Sequence, residues 1–203
     1  MKVLWAHGLE GSQNGSKPTW IAENLGWEVV SPAMRDRGWS IADQTEVVAE
    51  AISNNNDLYV IMGSSYGGLA IANASHRFSD RELRIVLMAP AFGLAENFRS
   101  MIGEEGLREW QKLDSHSYFH HGFGPEVKFG WDFITTADEL SWPSLYHPTV
   151  IIHGNQDDIV PIESSRKVSI SMSSTIGFEV ATFREDSIRT ISSWLPSMIT
   201  VAR

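Results

Sequence analysis

The sequence predicts a three-layer α/β domain: a mostly parallel sheet of about six strands with helices on both faces and a small lid-like insertion. Three observations carry that expectation. Short apolar runs alternate with helix-spaced segments along the 203-residue chain. One such run, Leu58 to Met62, drives into Gly63-Ser64-Ser65-Tyr66-Gly67 and leaves through small and apolar residues to Ala72, which reads as strand, sharp turn, helix. His7, Ser65, Asp157 and the turn after Phe183 each follow directly on a predicted strand, the end of a parallel sheet where ligand chemistry gathers.

Taken in order, Val3 to Ala6 is a buried strand running into His7-Gly8-Leu9-Glu10-Gly11-Ser12. Lys17 to Leu25 is a helix with Pro18 tolerated in its first turn, followed by a strand from Glu28 to Ser31 that Pro32 ends. Ile41, Thr45, Val48 and Ile52 recur at helical spacing behind a Ser40 cap, and Asn54 to Asp57 stops that helix. After the strand-turn-helix unit, Arg84 to Ala89 gives a fourth strand. Phe92 to about Leu145 then shows scattered aromatics, five glycines between Gly103 and Gly130 and no clean strand alternation; residues 92–145 read as a helical and loop lid inserted in a single domain spanning 1–203. Thr149 to Ile152 resumes the strand pattern, Glu163 to Met172 reads as a helix, Phe178 to Phe183 as the last strand, and Ser187 to Met198 as a closing amphipathic helix.

Composition narrows the function. A net charge of −9 argues against a nucleic-acid partner, and the absence of cysteine excludes disulfides, thiolate metal sites and a cysteine nucleophile, which fits the cytoplasm. The apolar N-terminal run is too short for a signal-peptide core, and no run is long enough to span a bilayer. His116 and His120 stand four apart, a metal-ligand spacing if helical, but no Glu follows His116 as a zinc-protease pattern requires, and no cofactor or metal is expected. Trp5, Trp20, Trp110 and Trp194 fall on apolar faces and are expected in the core, whereas Trp39, Trp131 and Trp142 are freer to line a pocket.

Ser65 is the candidate nucleophile, because the turn holds its hydroxyl above the sheet and Gly63 and Gly67 let strand and helix approach. In an acyl-transfer site of this architecture, Leu9 and Tyr66 would offer backbone amides to an oxyanion. With His7 to Ser12, Gly63 to Gly68 and His153-Gly154 through Asp157 to Val160-Pro161 in this order, the chain resembles the α/β-hydrolase superfamily, most closely its small bacterial esterase-like members. The resemblance covers nearly the whole length and implies a serine esterase with Asp157 as triad acid, Asp158 being the near alternative, and a small-molecule ester or acyl-like substrate.

The chain departs from the family pattern at one place. The family shows a histidine after the last strand to deprotonate the serine; here that stretch reads Phe183-Arg184-Glu185-Asp186-Ser187, and Ser187 stands at the histidine position. Three explanations stay open: a hydrolase fold that has lost its base, a base supplied by lid residues His120 or His121, or a shifted match in which Glu185 or Asp186 acts. His7, beside the oxyanion loop, is expected to hold that loop in place. A noncatalytic protein of the same fold, binding an acyl-like ligand or a protein partner, is the competing class.

Overall fold

The computed structural model describes residues 1–120, 124–170 and 178–183, with backbone alone at 124–125 and 178–183. The main sheet is built from β1 (Lys2–Ala6), β2 (Glu28–Val30), β3 (Val60–Ser64), β4 (Arg84–Met88), β7 (Thr149–Gly154) and β8 (Phe178–Phe183). Its spatial order is β2-β1-β3-β4-β7-β8, and every pairing is parallel. Parallel strands must be joined by crossovers, and the helices that make them cover the sheet.

Strand alternation divides the core. Leu4 and Ala6 of β1 face one layer and Val3 and Trp5 the other. On the first face lie α2 (Ile41–Ser53), α3 (Tyr66–Ser75), α5 (Asp132–Leu140) and α6 (Ile162–Ile170), whose Val48, Ile52, Leu69, Phe133 and Val168 are buried there. Ile21 of α1 (Ser16–Leu25) packs on the second face. Ser40 caps α2, its Oγ accepting from the Asp43 amide at 3.1 Å, as the sequence predicts. The expected closing helix from Ser187 to Met198 lies outside the described residues.

Between β4 and β7 the structure differs from the helical-and-loop expectation. The 92–145 stretch contains α4 (Leu94–Leu113), interrupted at Gly103, and an antiparallel hairpin of β5 (His116–His120) and β6 (Gly124–Phe129). Phe129 and Trp110 are fully buried, with the Trp110 indole N–H donating to the Phe129 carbonyl at 3.0 Å, so the hairpin is anchored to α4 through one apolar edge. α5 belongs to the core rather than to the cleft: Phe133 stacks on Tyr66 with ring centroids 5.7 Å apart. His116 and His120 therefore stand on a strand, His116 stacked on Trp110, and among the described residues no cluster of three or more histidine or carboxylate side chains could hold a metal ion. No helix among the described residues is long and apolar enough to cross a membrane.

Candidate active site

Ser65 joins β3 to α3 with φ 52° and ψ −117°, a conformation that L-residues avoid and that costs on the order of 1–3 kcal/mol unless the surroundings impose it. The surroundings do. The Ser65 amide donates to the Met88 carbonyl at 2.9 Å, and the Ser65 carbonyl accepts from the Ala91 amide at 3.0 Å, so the next strand over clamps the turn from both sides of the residue. A methyl at Gly67 would enter the carbonyls of Ala6 and His7, and one at Gly63 would sit 2.8 Å from the Gly67 carbonyl oxygen. Glycine is required at both because the helix starts directly against the ends of β1 and β3.

The loop after β1 lies alongside. A Cβ at Gly8 would stand 3.2 Å from the Ser65 Cβ, which brings the Gly8–Leu9 peptide next to the serine. The carbonyl of that peptide accepts from the Gly11 amide at 2.9 Å and from His7 Nδ1–H at 2.8 Å. In a trans peptide the N–H points opposite to the C=O, so these two bonds aim the Leu9 amide away from the loop interior. Among the described residues neither the Leu9 nor the Tyr66 amide has a hydrogen-bond acceptor, although both residues line the same cleft as Ser65. Tyr66 opens α3, where unpaired amides and the helix dipole favour negative charge. The Tyr66 side chain is occupied elsewhere, fully buried with its hydroxyl donating to the Trp39 carbonyl at 2.7 Å.

The cleft measures about 600 Å³. Leu94, Phe98 and Met101 of α4 form an apolar wall, Ile159 and Val160 close one end, and Ser12, Ser16 and Lys17 supply the polar side. Met101 and Ile159 are 65% and 78% exposed, an apolar rim around the serine rather than a sealed chamber. A second cleft of about 360 Å³, between α2, the end of α3 and the Pro143–Tyr146 loop, shares no residue with it.

The remaining expected site residues sit as follows. His7 lines the cleft and is nearly fully buried, and burial above all holds its imidazole below the ordinary value, with Arg35 and His120 adding in the same direction. The neutral ring with its proton on Nδ1 follows from the Gly8 bond. Asp157 follows β7, and its Oδ1 accepts from the amides of Ile159 at 3.0 Å and Val160 at 2.9 Å, shaping the turn into α6. His153 stands below it: Nε2–H donates to the Val160 carbonyl at 2.9 Å and Nδ1 accepts from the buried Ser165 hydroxyl at 2.8 Å, leaving Asp157 Oδ2 3.7 Å away. β8 ends beside this loop, Phe183 pairing with Gly154. Ser187 and His121 lie outside the described residues.

His120 is fully buried and lies behind the loop that follows β1. Nε2 is 2.9 Å from the Leu9 carbonyl oxygen, to which it donates, and Nδ1 faces Glu10 at 3.4 Å. Among the described residues no side chain hydrogen-bonds the Ser65 hydroxyl. Arg35, a residue that sequence spacing did not single out, reaches the same loop: one guanidinium nitrogen donates to the Leu9 carbonyl at 3.1 Å and to the Gly11 carbonyl. Tyr118 of β5 donates to Glu10 at 2.7 Å, and burial, then that bond, pushes its phenol up to about 12.

A model of the Uncharacterised protein family (UPF0227) matches residues 28–177. The chain belongs to that family. This UPF0227 chain matches no curated protein. Its structure is similar to the mouse alpha/beta hydrolase domain-containing protein 10 (TM-score 0.77, 16% identity, covering 100% of this chain and 90% of that one). It is likewise similar to Est1E from Butyrivibrio proteoclasticus solved with ferulic acid bound (0.76, 16%, 99% and 88%). An esterase, EaEST from Exiguobacterium antarcticum, also matches (0.64, 14%, 98% and 92%). The UPF0227 chain thus has the α/β-hydrolase fold.

Proposed function

We propose that this chain is a serine hydrolase of the carboxylesterase type, built around Ser65 and slowed by the replacement of its base with Ser187. The observation that supports this reading most is the conjunction at the elbow. A strained Ser65 is held at the carboxyl end of a parallel sheet, with two acceptor-free amides, Leu9 and Tyr66, beside it in one cleft.

In this reading the Ser65 oxygen attacks the carbonyl of a small ester. The Leu9 and Tyr66 amides stabilise the oxyanion, the alcohol leaves, and water hydrolyses the acyl-enzyme. The apolar wall of α4 takes the acyl group, and Asp157 stands at the triad-acid position, where it would orient a histidine at 187. Without a histidine at position 187 the serine proton passes to solvent, and turnover falls on the order of a millionfold below that of an intact triad. The oxyanion donors and binding alone retain roughly 10³-fold over water. The cytoplasm is the compartment this reading assigns to the cysteine-free chain.

The test is a fluorophosphonate probe with the adduct located by mass spectrometry. Slow labelling confined to Ser65 and absent from Ser65→Ala is expected; no adduct contradicts the hydrolase reading. A second reading, a noncatalytic binding protein for an acyl-like ligand, is favoured by one observation: no base touches the Ser65 hydroxyl among the described residues. It predicts ligand binding without any adduct.

A further inference from the structure

We propose that Arg35 is the positioning residue of the oxyanion loop, holding Leu9 and Gly11 by their carbonyls so that the Gly11 amide stays on the Gly8 carbonyl and the Leu9 amide of that same peptide keeps its direction. The inference rests on the hydrolase reading of Ser65. Arg35 sits in the connection between β2 and α2, far from the loop in sequence. Its guanidinium donates to both carbonyls and lies 5.1 Å from the centre of the Trp39 ring. Burial lowers its pKa and Glu10 acts against that, but a guanidinium stays charged under any ordinary condition.

Three of the loop's carbonyls are held by donors: Gly8 by His7 and the Gly11 amide, Leu9 by His120 and Arg35, and Gly11 by Arg35. Arg35 alone holds two of them. Pinning carbonyls on one side of a short loop presents its amides on the opposite side, because each trans peptide carries N–H and C=O in opposition. The Leu9 amide shares its peptide with the Gly8 carbonyl, which His7 and the Gly11 amide hold; Arg35 acts one step removed, fixing the Leu9 and Gly11 residues on either side of that bond. Among the described residues Arg35 has no hydrogen bond to Ser65; it acts through the backbone it holds. His120 contributes to the same grip from β5, and Tyr118 reinforces it through Glu10. The hairpin is thereby tied to the loop that serves the serine.

The test uses equilibrium binding of 2-phenylethylboronic acid, which forms a tetrahedral anionic adduct on a serine and needs no turnover. Calorimetry compares the unaltered protein with Ser65→Ala, Arg35→Met and Arg35→Lys. Arg35→Met keeps the apolar stem and removes both bonds; an affinity loss of roughly 10- to 100-fold is expected, the size associated with a misdirected oxyanion donor. Arg35→Lys keeps the charge with a single point donor and is expected to recover part of the loss. Should Arg35→Met fail to fold, Arg35→Lys decides, with a loss of about 3- to 10-fold expected. A merely structural arginine would lower the urea midpoint and leave boronate affinity unchanged, and that result overturns the proposal. If the unaltered protein shows no binding that Ser65→Ala abolishes, the hydrolase reading falls and takes this inference with it.

Discussion

The Ser65 amide donates to the Met88 carbonyl at 2.9 Å, so the turn after β3 is fastened to the end of β4 and cannot relax toward an ordinary helix start. The backbone of Ser65 therefore stores strain for which its side chain gives no return in stability. Replacing it by glycine, which occupies positive φ freely, is expected to stabilise the fold by about 1 kcal/mol while abolishing any covalent labelling. Urea denaturation of Ser65→Gly checks this; a lower midpoint than that of the unaltered protein would show that the elbow is not strained.

Gly67 is the opposite case. A methyl there meets two backbone carbonyls, Ala6 and His7, that belong to a central strand and cannot withdraw. Gly67→Ala is expected to cost about 3 kcal/mol or more, through separation of α3 from β1 rather than through a lost contact. Unchanged stability in a urea titration would contradict the close approach described for this turn.

Acid sensitivity follows from the buried and half-buried imidazoles. His7, His116 and His147 are each held below the ordinary value of 6.5, first of all by burial. The unfolded chain then binds more protons than the folded one below about pH 6.5, so this stability is fully present above that pH. It is lost as pH falls through and below 6.5, and the loss levels off once the lowered folded-state values are passed. His147 Nε2–H donates to the Ser75 carbonyl at 3.1 Å, a bond that a glutamine amide can copy without titrating. The urea midpoint is expected to fall between about pH 7.5 and about pH 5, and to fall less in His147→Gln. An identical slope in the variant would contradict a buried neutral His147.

Much of the fold was legible because a parallel sheet writes itself as separated apolar runs. The elbow was legible because three constraints meet at Gly63, Ser65 and Gly67. The β5–β6 hairpin was not, since it buries only one edge. Tyr118 with His120, and Val127 with Phe129, alternate over too few residues to outweigh the glycines around them. The His116–His120 spacing suggested a helical pair, whereas on a strand the two rings serve different neighbours, Trp110 and the Leu9 carbonyl. Arg35 was illegible for a different reason. Its partners Leu9 and Gly11 stand 26 and 24 residues away and are backbone carbonyls, which every residue has, so no pattern of side chains announces the contact.

The proposed function requires that the scaffold around Ser65 is intact and that the residue at 187 limits the chemistry, and hydrolysis of p-nitrophenyl acetate by Ser187→His tests both. A rise in kcat of at least about 10³-fold over the unaltered protein, abolished by adding Ser65→Ala, is the result expected. No gain in the histidine variant, with the protein folded, would show that position 187 does not limit hydrolysis at Ser65.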